Sequence, residues 1–156
     1  MRREIEAAKE FRMDGVVLGL LDADGEVDIA RTKQLVELAR PLPITFHRAF
    51  DECAELRASL EDVIETGASR LLTSGGKRTA PEALGVLAEL VRIAGERLIV
   101  MPGSGLHAGN IREAVAKTAA REFHAGLSSV VANPGDKIGV FEEEVRRVVD
   151  VLRDCE

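Results

Sequence analysis

The chain has 156 residues, 46% of them hydrophobic and 31% charged, with a formal net charge of −6 at pH 7. That length supports one ordinary domain with a real core, and an acidic balance with scattered Lys and Arg leaves no electrostatic footprint for nucleic acid or an anionic membrane. No apolar run approaches the length of a transmembrane helix, and the start, Met1-Arg-Arg-Glu-Ile-Glu-Ala-Ala-Lys9, is a charged helical stretch without the apolar centre of a signal peptide. Cys53 and Cys155 are the only cysteines, far apart and outside any Cys-x-x-Cys pair, so the expectation is a reduced, soluble, cytoplasmic protein.

Along the chain, strand and helix patterns alternate. Gly15–Leu21 reads as a first strand, continuous in Val and Leu as when both faces are covered. Asp22-Ala-Asp-Gly25 is a turn, and Asp28 is placed to N-cap a helix carrying Ile29, Leu35, Val36 and Ala39. Pro41 and Pro43 end that helix and feed a strand at Ile44–Phe46. The next helix presents Leu56, Leu60, Val63 and Ile64 on one face and stops at Gly67. Arg70–Ser74 is a third strand, followed by the loop Gly75-Gly-Lys-Arg78. Thr79 and Glu82 have the spacing of a capping box, with Pro81 in the first turn, for a helix running to Ala94. Arg97–Met101 is a fourth strand, and Asn110 with Glu113 repeats the capping logic for a helix ending near Thr118. A fifth strand is expected at Arg121–Gly126 and a short sixth at Ile138–Phe141, before a helix of Val145, Val148, Val149 and Leu152. Ser128–Asp136 is the most loop-like stretch.

Repeated βα units allow either a doubly wound open sheet or an α/β barrel. Every helix has a similar apolar stripe, and no Gly-x-Gly-x-x-Gly follows the first strand, which tilts the reading to a barrel. A complete barrel has eight strands in about 250 residues, so the expectation is α/β, an incomplete (β/α)8 TIM barrel.

The strands at Ile44–Phe46, Arg70–Ser74 and Arg97–Met101 each end in small or polar residues before a helix, so their carboxyl ends should share one rim, where barrels place their chemistry. His47, Arg48, Asp51, Thr73, Ser74, Met101, Gly103 and Ser104 are expected along it. A neutral-range imidazole, a fixed cation and a carboxylate within five residues can bind an anion or shuttle protons. The alternative is a brace, with Arg48 and Asp51 paired to hold the loop and His47 hydrogen-bonded inside the barrel. Thr73-Ser-Gly75-Gly76 and Gly103-Ser104-Gly105 can set backbone N–H groups around a phosphate or carboxylate, with Lys77 and Arg78 beside them, although glycine turns of this kind also occur without a ligand.

Thr45-Phe-His-Arg-Ala-Phe-Asp51, Leu72-Thr-Ser-Gly-Gly76 and Met101-Pro-Gly-Ser-Gly105 followed by Asn110-Ile111 together resemble blocks of the copper homeostasis protein family CutC. The resemblance runs from the Asp14–Gly19 strand to about Ala125. It implies a single barrel domain over 1–156, lacking the first one to two βα units. It also implies a cytoplasmic, oligomeric protein associated with copper, with no reaction assigned to it. After Gly126 the tail departs from the family, with Leu127-Ser-Ser129 where a basic residue is usual.

Copper is thus implied by the resemblance and not by ligand spacing. Cu(I) favours thiolate and thioether donors, which makes Cys53 and Met101 the soft candidates. His124, inward-pointing by alternation with Phe123, is a third candidate, able to form a metal pair with His47 only if folding brings them together, and otherwise reads as a satisfied interior histidine. The competing reading is a barrel enzyme or sensor that binds a small phosphorylated or carboxylated metabolite at the rim. Finally, an incomplete barrel leaves strand edges that template pairing with another chain. The expected partner is a second copy, through residues near Val16–Leu20 or the Ile138–Phe141 segment, with no nucleic acid and no membrane.

Overall fold

A computed structural model describes residues 1–126 and 138–155. The elements are α1 (Arg2–Glu10), β1 (Val16–Leu18), α2 (Ile29–Ala39), β2 (Ile44–Phe46), α3 (Leu56–Thr66), β3 (Arg70–Thr73), α4 (Leu84–Ala94), β4 (Ile99–Pro102), α5 (Ile111–Thr118) and α6 (Ile138–Arg153), with 3-10 turns at Arg48–Glu52 and Ala80–Ala83. The four strands form one sheet in the order β1-β2-β3-β4, every pair parallel. Strand order never reverses, as it must at the switch point of a doubly wound sheet.

Helices cover one face of that sheet. Leu18, Ile44, Phe46, Leu71 and Val100 alternate onto it and are buried against Leu35, Val36, Leu60, Val63 and Leu90 of α2, α3 and α4. The helices pack in sequence, each against the next. Local signals explain their ends. Asp28 accepts a hydrogen bond from the Arg31 N–H at 2.9 Å and caps α2, and Gly67 closes α3 in the left-handed conformation at φ +80°. Together these features make an arc of barrel wall with its helical layer outside.

On the other face, in register, lie Val17, Thr45, Arg70 and Ile99, and one row further on Leu72 beside Met101. This is the side that would line a barrel. Val17 is 62% exposed. The continuous Val/Leu run of the first strand therefore does not mean cover on both faces, and only Val16–Leu18 of the expected Gly15–Leu21 is ladder.

Other expectations are corrected. The fourth strand begins two residues later than its sequence pattern indicates, at Ile99. The expected fifth strand, Arg121–Gly126, makes a single bridge, Gly103 to His124, closed by the His124 N–H on the Pro102 carbonyl at 2.9 Å. Its charged side chains turn elsewhere, with Arg121 on Glu96 and Glu122 on Arg70. The expected sixth strand, Ile138–Phe141, is instead the first turn of α6. The helical spacing of Val145, Val149 and Leu152 extends back to Phe141, and this 3.6-residue period overrides the local apolar run. Thr79 does not cap a helix directly. Its hydroxyl bonds the Glu82 carboxylate at 2.6 Å, and a 3-10 turn precedes α4. The loop-like Ser128–Asp136 and the Leu127–Ser129 tail lie outside the described residues.

The α6 assignment has a direct check. Gly139 is in the first turn of α6, exposed, and a Cβ added to it would meet nothing within 4 Å. Gly139→Ala is expected to raise ellipticity at 222 nm and stabilise the chain by about 0.5–1 kcal/mol. A strand at Ile138–Phe141 would show no gain in helical signal.

Candidate ligand site at the strand ends

The loops that follow β2, β3 and β4 meet at one end of the sheet, and Asp51 is the centre of the contacts between the first two. Its side chain is only 4% exposed. One carboxylate oxygen accepts from the Thr73 hydroxyl at 2.5 Å, the Ser74 N–H at 3.1 Å and the Gly76 N–H at 3.0 Å. The other accepts from Arg48 Nε at 2.8 Å and shares the Ser74 N–H. Burial alone would raise this carboxyl's pKa, but the bonds from Thr73, Arg48, Gly76 and Ser74 outweigh it and hold the group below the ordinary aspartate value.

The Thr73–Gly76 turn is therefore an anion nest occupied by the chain's own carboxylate. The Gly75 N–H completes it by donating to the Thr73 hydroxyl oxygen at 2.9 Å. Gly75 is required there twice over, because its φ is +72° and a Cβ would lie 2.8 Å from that of Ala83. Arg48 is fixed by the same hub. Its Nη2 donates to Ser74 Oγ at 2.8 Å and to the Lys77 carbonyl at 3.3 Å, yet 40% of its side chain stays exposed. The Ser74 hydroxyl has a single proton to share between Asp51 and the Lys77 carbonyl.

His47 is half-buried and caps the 3-10 turn, with Nδ1 accepting from the Ala49 N–H at 3.2 Å. That bond requires the tautomer with the proton on Nε2. The ring lies against Gly19, where a Cβ would come within 2.7 Å of Nδ1. Nothing local in the sequence distinguishes Gly19 from any other strand-end glycine, so its place beside the imidazole is evident only in the fold.

The Gly103–Gly105 turn differs from the first nest. Ser104 adopts φ +81°, a left-handed conformation unusual outside glycine, and Gly105 follows at φ +71°. The turn is tied down from both sides. The Ser104 hydroxyl donates to the Arg78 carbonyl at 3.0 Å, and the Ala80 N–H donates to the Ser104 carbonyl at 3.0 Å. Asn110, expected only as a cap, instead donates to the Gly105 carbonyl and accepts from the His107 N–H, both at 2.9 Å. Among the described residues, the N–H groups of Ser104 and Gly105 donate to no acceptor. Lys77 and Arg78 are exposed on the neighbouring loop, Arg78 facing Glu82 at 3.9 Å.

The metal candidates are not gathered. Cys53 is buried in the helix-side core, where burial pushes its thiol pKa up and keeps it protonated. Met101 alternates onto the opposite face of the sheet, and His124, expected to be interior, is exposed on that face, its Cβ about 3.1 Å from a Cβ built on Gly103. No group of three or more His, Cys, Asp or Glu able to hold a metal occurs among the described residues. A buried neutral thiol on one side of a sheet and a thioether on the other do not fit a Cu(I) centre. No helix among the described residues is long and apolar enough to cross a membrane.

Residues 1–129 match the family model for the CutC family. A CutC family protein of Chromobacterium violaceum is 51% identical over 133 residues, covering 85% of this chain and 54% of the relative. Another, from Xanthomonas axonopodis pv. citri, is 46% identical over 99% of this chain and 70% of its own length. A CutC crystal structure from Streptococcus agalactiae, which carries a copper homeostasis name, superposes with a TM-score of 0.74 at 27% identity, over 80% of this chain and 61% of that one. A native KDPGal structure superposes with a TM-score of 0.69 at 13% identity, which speaks to the fold alone. The chain thus spans about half the length of the first curated relatives it matches. With 129 of its residues inside the family model and its parallel strands in barrel order, the chain belongs to the CutC family.

Proposed function

We propose that this CutC family member is a cytoplasmic protein that binds a small phosphorylated or carboxylated metabolite at the strand-end rim, between the Gly103–Gly105 turn and the Lys77–Arg78 loop. The observation that carries the reading is Ser104. A serine held at φ +81° carries about 1–3 kcal/mol of strain, which persists only where its surroundings hold it, and such strain concentrates at ligand clamps. Here the strained turn offers the N–H groups of Ser104 and Gly105 with no protein acceptor among the described residues, next to two exposed cations. The Thr73–Gly76 nest contributes indirectly, because Asp51 fills it and so fixes the loop that carries Lys77. Arg48 presents its exposed side to the same rim. Two N–H groups and adjacent exposed cations can bind and orient an anion, and the reading is a binding one.

Copper is the association the family name carries; the candidates Cys53, Met101 and His124 form no cluster of ligands among the described residues, which favours the anion reading.

Titration with inorganic phosphate and with citrate, followed by thermal unfolding, tests the anion reading. Saturation at a hundred-fold excess over Kd should stabilise the chain by about 2.7 kcal/mol. Lys77→Ala with Arg78→Ala should remove most of that gain without lowering the unliganded stability, since neither side chain braces the fold. A shift with Cu(I) alone, abolished by Cys53→Ser, would overturn the proposal in favour of the metal.

The second expectation concerns the brace itself. Asp51 is more acidic folded than unfolded, so its contribution is fully present above the unfolded pKa of about 4 and is lost as pH falls through the lower folded value. Asp51→Asn should cost about 2–4 kcal/mol at pH 7, discounted from a fully buried pair because Arg48 is part exposed. It should also flatten the acid limb of the stability profile below about pH 4. An unchanged acid limb would show that other carboxylates govern it.

A further inference from the structure

The two glycine turns at the rim are copies of one another. The ladder register pairs Thr73 of β3 with Pro102 of β4. Counting on from that pair, Ser74 corresponds to Gly103, Gly75 to Ser104 and Gly76 to Gly105. The backbone agrees where it is least usual, with φ of +72° and +71° at Gly75 and Gly76 and of +81° and +71° at Ser104 and Gly105. Left-handed residues ordinarily occur singly, so two in succession at matched positions mark one shared turn design.

What differs is what the N–H groups meet. In the first turn the Gly75 N–H donates to the Thr73 hydroxyl oxygen at 2.9 Å, and the Gly76 N–H to an Asp51 carboxylate oxygen at 3.0 Å. These two acceptors are themselves joined, because the Thr73 hydroxyl donates to that same carboxylate oxygen at 2.5 Å. Neighbouring N–H groups of this design thus reach two different functional groups. Asp51 has both oxygens at the turn and still serves only one of the pair.

The second turn has neither acceptor, and the sequence shows why. Pro102 stands where Thr73 does and has no hydroxyl to offer the Ser104 N–H. The loop after β3 brings no carboxylate to the Gly105 N–H, since its Glu82 accepts the Thr79 hydroxyl at 2.6 Å and faces Arg78. The Gly103 N–H is taken by the Thr73 carbonyl at 2.9 Å, which leaves Ser104 and Gly105 as the pair without an acceptor among the described residues.

We propose that the ligand of this turn is a 2-hydroxycarboxylate, an inference that rests on the anion reading above and narrows it to one class. The ligand's carboxylate accepts the Gly105 N–H, as Asp51 accepts that of Gly76. Its 2-hydroxyl oxygen accepts the Ser104 N–H, as Thr73 Oγ1 accepts that of Gly75. A hydroxyl and a carboxylate on adjacent carbons lie close enough for the hydroxyl to donate to the carboxylate, so one small molecule reproduces the joined Thr73–Asp51 pair. Lys77 and Arg78, exposed beside the turn, supply the positive charge that Arg48 supplies to Asp51. A plain carboxylate offers one functional group where the design uses two.

Malate and succinate differ only by the hydroxyl in question. In calorimetric titrations the chain should bind malate about tenfold more tightly than succinate, the worth of roughly one hydrogen bond. In 15N-labelled protein, malate should move the Ser104 and Gly105 amide signals. Pro102→Thr restores a hydroxyl at the position of Thr73 and should bring the malate-to-succinate ratio close to one, with the spectrum reporting that the variant is folded. Equal affinities in the native chain, a malate complex in which those two amides stay still, or a folded Pro102→Thr variant that keeps the full preference would each overturn the inference. Inorganic phosphate that moves the two amides while malate does not bind would overturn it and leave the anion reading standing. If malate, succinate and phosphate all fail to bind, both fall.

Discussion

The ionised carboxylate of Asp51 ties the loop after β2 to the turn after β3. It receives the Thr73 hydroxyl, the Ser74 and Gly76 N–H groups and the Arg48 guanidinium. Apart from Thr73, the last residue of β3, these donors lie beyond the strand ends, where the next α-helix has not begun. An unpaired buried N–H costs about 1–3 kcal/mol. A single buried carboxylate satisfies two of these donors outright and, through Thr73, orients the acceptor for a third at Gly75. The Lys77–Arg78 loop is fixed by this arrangement, since Arg48 and Ser74 both reach the Lys77 carbonyl. The Gly103–Gly105 turn is fixed in turn by Ser104 on the Arg78 carbonyl. Order thus passes from Asp51 to the second turn through backbone groups, which leaves the side chains of Lys77 and Arg78 uncommitted to the fold.

Two glycine turns with similar sequences consequently have different states. Thr73–Gly76 carries its anion within the chain, on the loop just beyond β2. Gly103–Gly105 has no such carboxylate nearby in sequence, and Asn110, the polar residue that follows, is neutral and commits its amide to the Gly105 carbonyl and the His107 N–H. A neutral amide can staple a turn but cannot supply the negative charge that adjacent N–H groups attract.

Much of the architecture is legible in the sequence because it rests on local rules. Asp28 and Gly67 punctuate their helices by capping chemistry, and the buried residues of α2 and α3 follow the apolar spacing of the sequence. The His47, Arg48 and Asp51 grouping is legible as a cluster. Its choice between brace and ligand site is not, because the decisive donors, Thr73, Ser74 and Gly76, lie more than twenty residues away in sequence. The corrections share a cause too. His124 and the first strand have interior environments only if the sheet is covered on both sides. Period-2 alternation says which residues share a face but not whether anything lies opposite that face. The Ile138–Phe141 segment is a question of period, settled only when the spacing is followed for the whole of α6.

The open face of the sheet is not a plain apolar core awaiting cover. Arg70 forms two hydrogen bonds to Glu122, at 2.6 and 3.0 Å, with both side chains about one-third exposed, and Thr45 lies beside Arg70 in the ladder. This ion pair spans from β3 across β4 to the segment after α5, and it does so where that segment has only one backbone bridge. A charged tie of this kind is tolerable on a wetted face, where its desolvation cost is small, and would be costly at the centre of a dry one. The arc can therefore stand with this side hydrated, its stability coming from the helix-side core around Phe46, Leu60 and Leu71. Exposed apolar residues lie at its margins, among them Val17 on β1 and Phe141 on α6. The rim that holds the candidate site is thus stabilised from within.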